Sequence, residues 1–329
     1  MSVNLFFIFF IIFGIEMVMA KNAYAYSDAI EERPNIPNLL QQYAAEIQEV
    51  KILLQENELY QANLTFYDDI WILRFLLSHN RNTISSANAA LKTIQFREEN
   101  KLNEIGDIRS KIPTLDHDLA KDMFPSVLKL NKHMKPWGYI HFLPDENRSL
   151  ISYFALNNIN MKALSDDLGY DGIKEVYIIL NESSYQILDS ISRSTGKLTK
   201  LLKVVDFENV RLRDFSMSYL KNDAKVTKAL EDYYPQMLGM LVVVNSPSWF
   251  RKVWNILKPF FPKRFVEKVK VLQSLENMNE KDLKALFSYV SYENYPKRLG
   301  GLNESWPLPY AGMSFKERKK NEKCIAEMN

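Results

Sequence analysis

Residues 241–258 read LVVVNSPSWFRKVWNILK, and the break in the middle decides the fold. Leu241 to Val244 is a short run rich in β-formers, the pattern of a strand. Ser246-Pro247-Ser248 then opens a helix, with a hydroxyl to cap it and a proline in the first turn, where its missing N–H is not needed. At about 100° per residue, Trp249, Phe250, Val253, Trp254, Ile256, Leu257 and Phe260 fall on one side of that helix. Arg251, Lys252, Asn255 and Lys258 fall on the other, and Pro259 and Pro262 stop it. An apolar stripe alone fits a helix packed on a sheet. Two tryptophans and two phenylalanines are more than such packing needs, and with cations on the far side they fit a helix at a lipid boundary.

The strand-to-helix rhythm repeats outward from this stretch. Tyr139 to Phe142, Leu201 to Val205 and Val269 to Leu272 are further short runs rich in β-formers. Amphipathic segments of helix length lie between them, at 172–192, 216–231 and 248–258. Alternation of this kind predicts βαβ units and a sheet covered by helices. Upstream the period changes. Leu40, Tyr43, Ala44, Ile47, Val50 and Leu54 keep helical spacing, Asp68-Asp69 caps the apolar helix IWILRFLL, and Ser85-Ser86 precedes a third helical stretch. The fold class is therefore α/β, a helical unit followed by a sheet floor with helices over it. The segments are 1–26, a hydrophobic N-terminal signal or anchor; 27–112, a linker and the helical unit; 113–302, the α/β domain; and 303–329, a charged tail.

Several function classes fall away. With 42 Lys and Arg against 40 Asp and Glu, spread along the chain, there is no concentrated basic face for a nucleic acid. One cysteine, Cys324, forms no disulfide within the chain and no thiolate metal cluster. The four histidines lack the i, i+4 spacing of a zinc-protease helix, and there is no G-x-S-x-G elbow and no phosphate-binding P-loop. No catalytic residue, metal or cofactor is expected. Leu5 to Ile15 is an apolar run of eleven residues, shorter than the ~20 a spanning helix takes. It reads as a signal-peptide core with Ala23-Tyr24-Ala25 as cleavage site, as an uncleaved anchor, or as a misassigned start. These readings stay open, and the compartment with them.

Taken in order, VVDFENVRLRDFS (204–216), DYYPQMLGMLVVVNSP (232–247), LKPFFPKRFVEKVKVLQS (257–274) and YPKRLGG (295–301) resemble the CRAL-TRIO lipid-binding domain. ILRFLLSHNRNTISSANAAL (72–91) is similar to the helical region that precedes that domain, so the resemblance runs from about 40 to 302. It implies a hydrophobic pocket between sheet floor and helical walls, with one amphipathic helix as a mobile gate. The strand residues implied to line it are Tyr139, Leu201, Lys203, Val205, Leu241 and Val243. Phe250, Val253, Trp254, Leu257, Phe261 and Phe265 are implied as its roof.

The function implied is non-catalytic binding and transfer of a phospholipid, sterol or isoprenoid by a monomer that meets membranes transiently. Trp249 and Trp254 would be the boundary anchors, and Lys252, Lys258, Lys263 and Arg264 the cationic rim. The resemblance places such proteins in the cytoplasm and at membrane surfaces; a working N-terminal segment would instead mean the secretory pathway or an anchor. In the phosphatidylinositol-transfer branch, polar and basic headgroup grips stand where this chain has His79, Asn80, Gln236, Met237 and Phe265. Arg81 and Lys268 are the cations left, which implies little preference for phosphatidylinositol. Leu201 and Lys203 replace hydroxyls that contact phosphatidylcholine in the family. A lipid-independent adaptor on the same scaffold is the alternative.

Overall fold

The computed structural model describes residues 33–62, 64–103, 141–145, 149–156, 159–214, 216–271, 280–287, 289–293, 297–299 and 301–302, with isolated positions 126, 129, 133 and 295. The signal or anchor expectation, Tyr139 and the charged tail lie outside these residues. Among the described residues no helix is long and apolar enough to cross a membrane.

The helical unit holds α1 (Ile36–Gln42), α2 (Ala44–Leu54), α3 (Glu58–Ala62), α4 (Asp69–Ser78) and α5 (Thr83–Glu99). Asp68 caps α4 as the sequence predicts, its carboxylate accepting from the Trp71 N–H. Helix α5 starts earlier than expected. Asn82 takes the cap, accepting from the Ser85 N–H, while the Ser86 hydroxyl bonds back to the Asn82 carbonyl from inside the helix.

The α/β part follows as β1 (His141–Asp145), β2 (Ser149–Ala155), α6 (Met161–Thr195), β3 (Leu201–Asp206), α7 (Met217–Leu230), β4 (Leu238–Val244), α8 (Phe250–Leu257), α9 (Lys263–Lys268), β5 (Val269–Val271) and α10 (Glu280–Phe287). The five strands lie in chain order. β1 is antiparallel to β2, and β2, β3, β4 and β5 run parallel, each step bridged by α6, α7 or the α8–α9 pair. The sequence reading missed β2. Helix α6 is also longer than the predicted 172–192, because it continues back through a kink at Gly169 (φ 58°, ψ −163°), a conformation open only to glycine. Helix α8 begins four residues after the predicted cap Ser246; the Phe250 N–H bonds to the Pro247 carbonyl in a preceding turn, and Trp249 occupies the cap position without a side-chain bond.

Successive strand residues point to opposite sides of the sheet. Ile151, Tyr153, Leu202, Val204, Met240, Val242 and Val244 are buried against Leu286, Phe287, Val290, Tyr292, Tyr295 and Leu299 from α10 and the turns after it. The pairing of β3 with β4 slips between Leu201 and Leu202, opposite Gly239, and there a Cβ would run into the Tyr289 ring. The other side, carrying Leu241 and Val243, shares one continuous core with α4, α5, α6, α7 and Phe250.

That core is pinned by buried charge. Arg97 of α5 makes a fork of two bonds (2.8 and 3.0 Å) to the Glu182 carboxylate of α6, which also accepts from the Tyr234 hydroxyl. Burial works against the Arg97 charge, but the Glu182 carboxylate outweighs it and holds the guanidinium protonated more firmly than usual. Arg74 of α4 donates to Ser192 of α6 at 3.0 Å and lies over the Tyr185 ring.

Candidate lipid pocket

The side of the sheet facing the helices does not close. Three adjoining chambers lie on it, of about 300, 120 and 60 Å³. The largest is near the low end of the roughly 300–1,000 Å³ of ligand pockets. Tyr177 of α6 and Lys203 of β3 border all three. The 120 Å³ chamber lies under α8, between Val205, Leu241 and Val243 of the strands and Phe250, Trp254, Leu257, Phe261 and Phe265 above. The 60 Å³ chamber is walled by α6 residues such as Leu168, Ile173 and Val176, with Leu201 on its floor.

The 300 Å³ chamber has a polar side. His79, Gln236 and Lys268 border it together with Glu231, Asp232 and Arg264. Gln236 donates to the Ser78 hydroxyl, and Lys268 Nζ donates to the Leu238 carbonyl at 2.8 Å. Burial lowers the Lys268 pKa, and the nearby Arg264 lowers it further.

Most of the residues implied as pocket lining meet in this space: Leu201, Lys203, Val205, Leu241, Val243, Phe250, Trp254, Leu257, Phe261 and Phe265 all border it. Val253 is half-buried and borders none of the three chambers. Of the headgroup candidates, Arg81 stands apart, exposed at positive φ (66°) with its guanidinium over the Tyr43 ring. Asn80 shares that backbone region.

Of the surface candidates, Lys252, Lys258 and Lys263 are exposed, whereas Arg264 is bound by Glu231 and Asp232. Trp249 and Trp254 are half-buried, packed on Phe250 and Phe261 respectively. The apolar residues that α8 and the turn after it present to solvent are Ile256 (62% exposed) and Phe260 (50%), both assigned to the apolar side by periodicity.

The sequence reading missed two polar groups of the pocket. Asp223 of α7 borders the chamber under α8, and the Tyr177 hydroxyl donates to its carboxylate. Burial raises the Asp223 pKa to about 7 and lowers that of Lys203 to about 8. The Lys203 ammonium lies 5.7 Å from the centre of the Tyr177 ring and has no hydrogen-bond acceptor among the described residues.

Comparison with known proteins places this geometry in context. The family model described as the CRAL/TRIO domain matches residues 135–301. A CRAL-TRIO domain-containing protein of Saccharomyces cerevisiae is 27% identical over 82% of this chain and 81% of its own length. The Sec14 cytosolic factor of Schizosaccharomyces pombe is 23% identical over 71% of this chain and 74% of its own. The protein named real-time of Aedes aegypti is 21% identical over 70% of this chain, which spans 33% of that longer protein. The crystal structure of Sfh5 superposes with a TM-score of 0.52 at 15% identity, covering 90% of this chain and 99% of Sfh5, a likeness of fold.

Proposed function

The chain belongs to the CRAL/TRIO domain family, a family of lipid binding and transfer, and from that premise we propose that it is a non-catalytic carrier of a small hydrophobic molecule. The observation that carries this reading is the set of adjoining chambers on one side of the sheet, apolar under α8 and sharing Lys203 and Tyr177 as wall residues. Burying an acyl chain there yields about 0.8 kcal/mol per methylene, so the chain supplies most of the affinity and the few polar wall groups choose the ligand.

Exchange runs through α8. Phe250 and Leu257 face the core while Ile256 and Phe260 face solvent, beside the exposed Lys252, Lys258 and Lys263. A helix with apolar groups on both sides and cations along its flank can leave its seat for the surface of an anionic bilayer without exposing a new greasy face to water. The polar side of the largest chamber carries Glu231 and Asp232 as well as Lys268 and Arg264, so its charge is close to balanced. That argues against strong selection of a phosphoinositide, which needs several cations in one place.

Lipid extraction of the purified chain followed by mass spectrometry tests the carrier reading, and a defined lipid at near-stoichiometric amount is the expected result. A second reading, an adaptor that works without lipid, draws on Ile52, Leu53 and Ile84, which the helical unit leaves 52%, 44% and 62% exposed. A chain that copurifies with a partner and with no lipid would favour it.

A further inference from the structure

The position of Lys203 narrows the ligand class. It sits in the middle of β3 with Leu202 and Val204 buried on either side of it in the sequence, and its own side chain turns into the junction of all three chambers. Leu201, Val205, Leu241 and Val243 surround it on the floor. An ammonium is a donor only, with three N–H bonds to place. Here the Tyr177 ring face gives partial compensation, and no carboxylate, carbonyl or hydroxyl oxygen among the described residues accepts from it. Lys203 is half-buried, its side chain bordering the chambers, so a lipid filling them would strip the ammonium of water and leave it only the ring face unless the lipid brings an anion.

We infer that the cargo is an acidic lipid, bound with its anionic oxygens buried at Lys203 and its hydrocarbon running into the apolar chambers. This rests on the carrier reading and refines it. A sterol or isoprenoid hydrocarbon would leave the ammonium without an anion. A choline or other cationic group would be repelled by it. Asp223 does not oppose an anion with a full charge. Its carboxyl accepts from the Tyr177 hydroxyl, and the apolar wall around it favours the protonated form, which can itself donate to an oxyanion. The oxyanion comes either from the carboxylate of a long-chain fatty acid or from the phosphate of a phosphatidate.

Two competition mixtures offered to the purified full chain, read by native mass spectrometry, test this and separate the sources. The first is oleate with its neutral methyl ester; the second is vesicles of phosphatidate with phosphatidylcholine. Preference for the acidic member by about tenfold or more is expected, the scale of a hydrogen bond to a charged group. Preference in the first mixture assigns a carboxylate, in the second a phosphate. Lys203→Met should bring the favoured ratio close to one, and Lys203→Arg should keep it. Equal uptake of acidic and neutral members by the native chain, or a ratio untouched in Lys203→Met, overturns the inference. A chain holding only a neutral cellular lipid defeats the inference and leaves the carrier reading standing. A chain that takes up no lipid of any kind defeats both. The native ratios stand even where the methionine variant does not fold.

Discussion

The two sides of one sheet, built from alternate residues of the same strands, make opposite use of buried polar chemistry. On the side covered by α10, the Asp206 carboxylate accepts from the Tyr153 hydroxyl, from the Asn245 amide at 2.9 Å and from the Glu208 N–H at 2.8 Å. Around it the aliphatic and aromatic groups fill the space. Three residues earlier on the same strand and on the other side, Lys203 has an aromatic face and no acceptor among the described residues, at the meeting point of three chambers. On one side a buried carboxylate is matched by donors of the protein itself; on the other a half-buried ammonium faces open space, and that difference is the ground for an anionic ligand.

The largest test of that contrast is truncation of matching aromatics. Phe287→Ala on the filled side should lower unfolding stability by about 3–5 kcal/mol. Phe265→Ala, half-buried over a chamber, should lose about 1–2 kcal/mol, because less contact disappears. Denaturant melts compare them, and equal losses would mean the two sides are packed alike.

Removing charge should have opposite signs on the two sides. In the delipidated chain, Lys203→Met should raise stability at pH 7, by at most about 3 kcal/mol at 1.36 kcal/mol per pKa unit, since its pKa falls from 10.5 to about 8. Between pH 8 and 10.5 the unfolded chain holds the proton that the folded chain has released. The native protein therefore gains stability as pH rises through that window, and the methionine variant lacks the slope. Asp206→Ala should instead lose about 1–3 kcal/mol, by leaving the Tyr153 hydroxyl and the Asn245 amide without their acceptor.

Asp223 supplies a test of similar size with the opposite pH signature. Its folded pKa is raised from 3.8 to about 7, so the folded state keeps a proton that the unfolded chain loses, and stability falls as pH rises from about 4 to 7. Asp223→Asn should match the native chain at pH 3.5 and exceed it at pH 8 in thermal melts. The smallest stability effect belongs to the exposed Ile256. Ile256→Lys should shift stability by under about 0.5 kcal/mol, yet slow lipid transfer between vesicles while leaving bound lipid in place. Unchanged transfer would remove α8 from the exchange step.

Much of this was readable from residue order. The strand LVVV and the helix after it, and the Asp68 cap, follow from period and composition; Leu201, Lys203, Leu241 and Val243 as chamber-facing residues came only from the family resemblance. β2 escaped because two serines break the apolar run of SLISYFA (149–155) and Ile151 is its one β-branched residue. Burial on both sides, with Leu150, Ile151, Ser152 and Tyr153 each 2% exposed or less, removes the alternation that would otherwise have shown it. The start of α6 escaped because Asp166-Asp167 and Gly169 look like a terminus, and only the kink lets the helix pass through them. Asp223 and Tyr177 escaped for a different reason. Each lies in an amphipathic helix where a polar residue is expected to face water, and only the crossing of α6 with α7 turns them toward each other.

The fork between Arg97 and Glu182 bears on what counts as one folding unit. The stretch that matches the family model begins at residue 135, yet the cation that neutralises the fully buried Glu182 comes from α5, well before it. A chain cut to the matched stretch would carry a solitary carboxylate into a dry interior, beside a Tyr234 whose hydroxyl shares it. The helical unit and the sheet should therefore melt together, and calorimetry is expected to show one transition rather than two. The family model draws its border at residue 135; charge balance moves it back at least to Arg97, into the helical unit.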